Sequence, residues 1–199
     1  MDPKKLFKQK LLAQLYAPYK NCTACPLGSL GRKHVVFGDG DPDAQLMFIG
    51  EGPGREEDIQ GKPFVGRAGQ LLNRSLETLG VQRKDVYITN IVKCRPPNNR
   101  TPTPLESQTC KKLLLVKQIK IIRPQVICTL GSAAIQGLLD QTNIKISQVR
   151  GKKRVMDGII IIPTYHPAYI LRNPNELKTF ITDLELAISM CSRLPKGGG

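Results

Sequence analysis

Gly50-Glu51-Gly52-Pro53-Gly54-Arg55-Glu56-Glu57-Asp58-Ile59-Gln60-Gly61-Lys62-Pro63-Phe64-Val65-Gly66 follows directly on the apolar run Leu46-Met47-Phe48-Ile49. The stretch holds five glycines and four acids. Few structural tasks call for so much backbone freedom beside so much charge. A buried strand that ends at a ligand pocket is one, because glycine lets the backbone approach a ligand closely. The alternative is a plain surface turn, which the clustered acids disfavour.

The segments around it repeat the pattern of strand then helix. Ala68 to Leu79 carries Leu71, Leu72, Ser75, Leu76 and Leu79 on one helical face, with Gly80 as its stop. Val86–Asn90 and Gln125–Leu130 read as further strands, and Lys152–Ile162 as a hairpin turning at Asp157-Gly158. Leu6–Tyr16, Pro104 to about Lys120, Ser132–Leu139 and the segment from Pro174 to about Met190 read as helices. Lys93–Thr103, rich in Pro and Asn, is irregular. Strands alternating with helices predict an α/β fold with a mainly parallel sheet covered on both faces. Ligands in such folds bind beyond the carboxyl ends of the strands. Gly50–Gly66, Asn90 onward and Thr164–Pro167 all fall there. With 199 residues, no internal repeat and no dividing linker, the chain reads as one domain, 1–199, with a frayed tail at 196–199.

The glycine loop fails two familiar tests. A dinucleotide fingerprint needs glycine at position 55, where Arg55 stands, and a P-loop needs Gly and Ser/Thr where Glu56 and Pro63 stand. A different ligand is required. Phe64 is a lone aromatic in a glycine-bounded loop. It is either a packed staple or a flat platform for a planar ligand. Asn90 ends a strand. It is either a turn residue or a paired donor and acceptor that matches O4 and N3–H of uracil. His166, in Tyr165-His166-Pro167, sits where a proton donor or charge stabiliser belongs.

The formal net charge of +14 points to a polyanionic partner, nucleic acid first. No apolar run approaches the ~20 residues of a membrane span, and the N-terminus lacks a signal core. We therefore expect a cytoplasmic protein. Abundant isoleucine and charge suit a thermophile. Of six cysteines, Cys128 and Cys191 lie in apolar segments and read as core filling. Cys22 and Cys25 form a C-x-x-C, and Cys94 and Cys110 are separated by fifteen residues. Disulfides are disfavoured in an intracellular protein unless it is hyperthermophilic. Spacing leaves zinc and an iron–sulfur cluster evenly matched.

GEGPGREEDIQGKPFVGRAGQLL, the C-x-x-C, TNIVKCRPPNNRTP and TYHPAYILRNP together resemble the family four uracil-DNA glycosylases, the iron–sulfur members of that superfamily. The resemblance runs from about Tyr19 to Leu184. It implies a three-layer α/β/α sandwich around a four-stranded, mainly parallel sheet. It also implies a structural 4Fe-4S cluster on Cys22, Cys25, Cys94 and Cys110, and hydrolysis of deoxyuridine in DNA after base flipping. By the same resemblance Gly50, Glu51 and Gly52 line the uracil site, Phe64 stacks on the base, Asn90 reads its edge and His166 donates to O2. Gly52 stands where the best-known superfamily members carry a water-activating aspartate, leaving Glu51 and Glu57 as candidates. Ser132, Leu171, Arg172, Lys152 and Lys153 are candidate DNA contacts, within a basic strip that includes Arg150 and Arg154. The expected state is a monomer on uracil-containing DNA, and a sliding clamp or another repair protein would suit the basic N-terminus. A glycosylase relative that recognises damage without catalysis, and an electron-transfer protein, are the alternatives. Both fit the intact set of Phe64, Asn90 and His166 less well.

Overall fold

The structure, a computed structural model, describes residues 2–194. The expected tail at 196–199 lies outside the described residues. In chain order the elements are α1 (Pro3–Tyr16), β1 (Asp39–Gly40), β2 (Leu46–Gly50), α2 (Arg55–Gln60), α3 (Arg67–Thr78), β3 (Tyr87–Asn90), α4 (Pro104–Cys110), α5 (Val116–Ile122), β4 (Val126–Leu130), α6 (Ser132–Leu139), α7 (Ile146–Val149), β5 (Arg154–Met156), β6 (Ile159–Thr164), α8 (Pro167–Arg172) and α9 (Leu177–Ser189).

The sheet has six strands in the order β1-β3-β2-β4-β6-β5, which corrects the expectation of four. The inner four, β3, β2, β4 and β6, are parallel. The two extra strands are short antiparallel edges. β1 consists of Asp39-Gly40 alone, too short and too polar to leave a hydrophobic signature. β5 is the first arm of the expected hairpin, with Met156 opposite Ile159 across Asp157-Gly158. Both turn residues have positive φ, 50° and 79°. That is the requirement of a two-residue turn whose twist matches its strands.

Side chains alternate along each inner strand and so build two cores. Leu46 and Phe48 of β2 join Ile88, Cys128 and Ile162 under α3, α8 and α9. Met47 and Ile49 join Tyr87, Ile127 and Ile161 under α1, α5 and α6. β2 is buried along its whole length, as a parallel strand covered on both faces must be. Cys128 and Cys191 fill the first core, as the sequence predicts. Among the described residues no helix is long and apolar enough to cross a membrane.

The expected helix from Pro104 is continuous to Ile122, but a π-helical turn at Lys111–Leu115 interrupts it just after Cys110. Its start is fixed by a capping box. Glu106 N–H donates to Thr103 Oγ1 (3.3 Å), while Thr103 N–H donates to the Glu106 carboxylate (2.8 Å). Glu106 is almost fully buried, and the fork of Arg100 holds its carboxyl below the usual range.

Candidate active site

A parallel sheet delivers its strand ends to one edge of the molecule, and the cleft lies there. It encloses about 490 Å³ and is lined by Glu51, Gly52, Glu57, Phe64, Asn90 and His166, with Tyr169, Arg172 and the Pro96–Pro102 loop around them. Gly50 does not line the cleft. It pairs with Asn90 across the β2–β3 ladder, and a Cβ there would collide with Asn90 Oδ1 and the Phe64 ring. Its function is to let those two side chains meet.

The Phe64 backbone has φ 51°, a strained conformation for a bulky residue. Three residues hold it. Arg83 donates to the carbonyls of Pro63 (2.6 Å) and Phe64 (3.0 Å). Glu57 accepts from the N–H groups of Val65 (2.9 Å) and Gly66 (2.8 Å) through one oxygen. A Cβ on Gly69 would strike the Phe64 carbonyl, so glycine is required where α3 passes beneath. The result is a nearly buried ring placed 5.7 Å from the His166 ring.

His166 caps α8. Its Nδ1 accepts from Ala168 N–H (3.1 Å), which leaves the proton on Nε2. Burial, with Arg172 adding to it and Glu57 opposing, pushes the imidazole down to about 4. At neutral pH it is therefore an uncharged donor. Asn90 is 1 % exposed, and its Oδ1 is buried without a partner. An orphaned carboxamide oxygen at a cleft wall is an unfilled request for a ligand N–H. Glu51 also faces the cleft. Burial raises its pKa, and a hydrogen bond with Thr101 partly offsets the rise.

The candidate DNA contacts share this edge to different degrees. Arg172 is exposed on the cleft rim, whereas Leu171 is half-buried and outside it. Ser132 begins α6 at the end of β4, with its Oγ accepting from Ile146 N–H (3.3 Å). Lys152 and Lys153 are exposed, and Gly151 N–H donates to Pro163 O (2.8 Å), so the two lysines lie near the carboxyl end of β6. Arg150 departs from the strip. It is paired with buried Asp183, which also accepts from Thr164 Oγ1 (2.7 Å).

All six cysteines are free thiols. Cys22, Cys25, Cys94 and Cys110 line one small cavity with Val35, Leu113 and Leu114, and Lys93 N–H donates to Cys110 Sγ (3.3 Å). Burial pushes Cys94 up to about 12 and Cys110 up to about 11. Four thiols in an apolar cradle with a backbone donor fit a thiolate-ligated group. Among the described residues no three Cys, His, Asp or Glu side chains gather closely enough to hold one metal ion.

The profile described as "Uracil DNA glycosylase superfamily" matches residues 37–185. The chain belongs to this superfamily. It is 48 % identical to a Type-4 uracil-DNA glycosylase of Thermotoga maritima over 94 % of this chain and 97 % of the relative. It is 45 % identical to a Type-4 uracil-DNA glycosylase of Saccharolobus solfataricus, over 88 % of this chain and 84 % of that one. A Type-5 uracil-DNA glycosylase of Thermus thermophilus is 32 % identical over 56 % of this chain and 57 % of its own. Sequence reasoning missed Tyr169 on the cleft wall, and Arg83 and Lys93, which hold the backbone of Phe64 and Asn90 from behind it. Lys93 left a signal, as a lysine set between Ile91-Val92 and Cys94.

Proposed function

We propose that this chain excises uracil from DNA. Deoxyuridine flips into the cleft, the N1–C1′ bond is hydrolysed, and free uracil and an abasic site are left. The observation that carries the reading is the unpartnered Asn90 Oδ1 beside Phe64 and the His166 Nε2–H. Phe64 stacks on the base. Asn90 Oδ1 accepts N3–H while its amide donates to O4, a pattern cytosine cannot match. As the bond breaks, its electron pair passes to the uracil ring, and His166 donates to O2, where negative charge grows. A neutral donor fixed before the reaction is typically worth about 3–4 kcal/mol in such a role.

Water then adds to the sugar cation at C1′ and loses a proton. Glu51 is the better acceptor for it, because one Glu57 oxygen already serves two backbone donors. Arg172, Ser132, Lys152 and Lys153 hold the DNA backbone, and Leu171 enters the gap left by the base. Cys22, Cys25, Cys94 and Cys110 hold a 4Fe-4S cluster. All four line one cavity, and four thiolates are the ligand set of a cubane cluster, as the resemblance to the iron–sulfur glycosylases implies. When bound, the cluster ties the N-terminal segment to the middle of the chain, and no step of hydrolysis passes through it. The enzyme acts as a cytoplasmic monomer on DNA. The test is release of free uracil from deoxyuridine-containing oligonucleotides, single-stranded and duplex, by iron-loaded protein. No release from either overturns the reading.

A further inference from the structure

Lys93 is fully buried, immediately before Cys94. Its backbone is pinned on both sides. Its N–H donates to Cys110 Sγ (3.3 Å), and its carbonyl accepts from Val36 N–H (2.7 Å). Its side chain turns back to the end of β3, where the ammonium donates to Thr89 Oγ1 (2.5 Å) and to the Asn90 carbonyl (2.7 Å). Among the described residues no carboxylate pairs with it. Burying a lysine amine whose hydrogen-bond acceptors are neutral oxygens is costly, even with the Cys110 sulfur nearby, and an apolar side chain would fill the same space without that cost. What the ammonium adds is a fixed Asn90 peptide plane. β3 ends at Asn90, and the next two residues stay tied to the end of β2, with Ile91 N–H on Gly50 O (2.9 Å) and Val92 N–H on Glu51 O (3.2 Å). With its carbonyl held, the direction of the Asn90 Cα–Cβ bond is held too, and with it the placement of the carboxamide in the cleft wall between Gly50 and Phe64.

We infer that Lys93 is a positioning residue: it sets the Asn90 carboxamide for the base edge and joins that setting to the Cys94–Cys110 loop. The inference rests on the uracil-excision reading. It assigns Lys93 no contact with DNA or base. A residue that works only through Asn90 must lose its effect when the Asn90 side chain is removed, whereas a general stabiliser must not.

The test is a double-mutant cycle of Lys93→Met and Asn90→Ala on iron-loaded protein. Single-turnover excision, affinity for free uracil and iron per chain are measured. Lys93→Met is expected to retain iron, to weaken uracil binding and to slow excision about tenfold or more, yet to cost less than about threefold in the Asn90→Ala background. Multiplying losses, or no loss from Lys93→Met alone, overturn the inference. If Lys93→Met does not hold iron, Thr89→Val decides by the same cycle, because it removes one oxygen acceptor and leaves Lys93 in place. Its loss must likewise vanish with Asn90→Ala, and multiplying losses overturn the inference here too. An Asn90→Ala variant as active as the parent overturns the excision reading instead.

Discussion

At the scale of single residues, the cleft combines an uncharged donor, an orphaned acceptor and a strained aromatic. His166→Ala removes the donor on which the leaving uracil depends. Single-turnover excision should fall by about 100-fold or more with the thermal midpoint little changed, and Asn90→Ala should fall comparably. Near-parental rates in both would sink the pocket assignment. The pH dependence follows from the same histidine. An unfolded histidine titrates near 6.5, and the folded one at about 4. Between those values the unfolded chain binds the extra proton. The His166 contribution to stability is therefore complete above about 6.5 and is lost as pH falls through the window to 4. The neutral donor itself survives down to the lower value. Any acidic loss of rate between neutrality and that point belongs to another group, and Glu51, with its raised pKa, is the candidate. A rate profile that falls with a midpoint near 6.5 in the parent, and flattens in His166→Ala, would contradict the neutral histidine.

At the scale of elements, the opening loop is a clamped structure. The sequence shows that Gly50–Gly66 is irregular and charged, but it does not reveal α2, whose six residues include three consecutive acids and carry little apolar periodicity. Nor does it distinguish Glu57 from Glu51, because a carboxylate that orders backbone N–H groups and one that faces water look alike in a string of letters. Their variants separate them. Glutamine at 57 keeps an oxygen for Val65 and Gly66, so Glu57→Gln should excise within a few-fold of the parent. Glu57→Ala should lose about 1–3 kcal/mol of stability as those donors go unpaired. Glu51→Gln should slow excision more than Glu57→Gln. The reverse order, measured in single turnover, would move the water-activating role to Glu57.

At the scale of the molecule, the inner parallel strands were legible because both faces are buried and their apolar runs are nearly continuous, as in Leu46–Ile49 and Val126–Leu130. The edge strand Asp39-Gly40 carries no such run, and only its pairing with Tyr87 and Ile88 defines it. Of the site, Asn90 and His166 were legible as isolated residue types at strand ends, and Phe64 as a lone aromatic in a glycine-bounded loop. Arg83 was not, since its work is to hold backbone carbonyls that no spacing encodes, and Lys93 left only its place beside Ile91-Val92 as a sign of burial, not of what it holds. The surface charge shows the same limit. Arg150 and Lys152 look alike in sequence, yet Arg150 neutralises an almost fully buried Asp183 and packs over the Tyr165 ring. Arg150→Met leaves a buried carboxylate without its cation and should cost about 3–5 kcal/mol, read as a large drop in thermal midpoint. Lys152→Ala and Lys153→Ala should leave that midpoint unchanged. Each should lower the slope of log affinity for duplex DNA against log salt by about one, because each gives up one phosphate contact and its released counterion. A slope unmoved in the double variant would remove the lysines from the DNA surface. A midpoint unmoved in Arg150→Met would return that arginine to the strip of free cations.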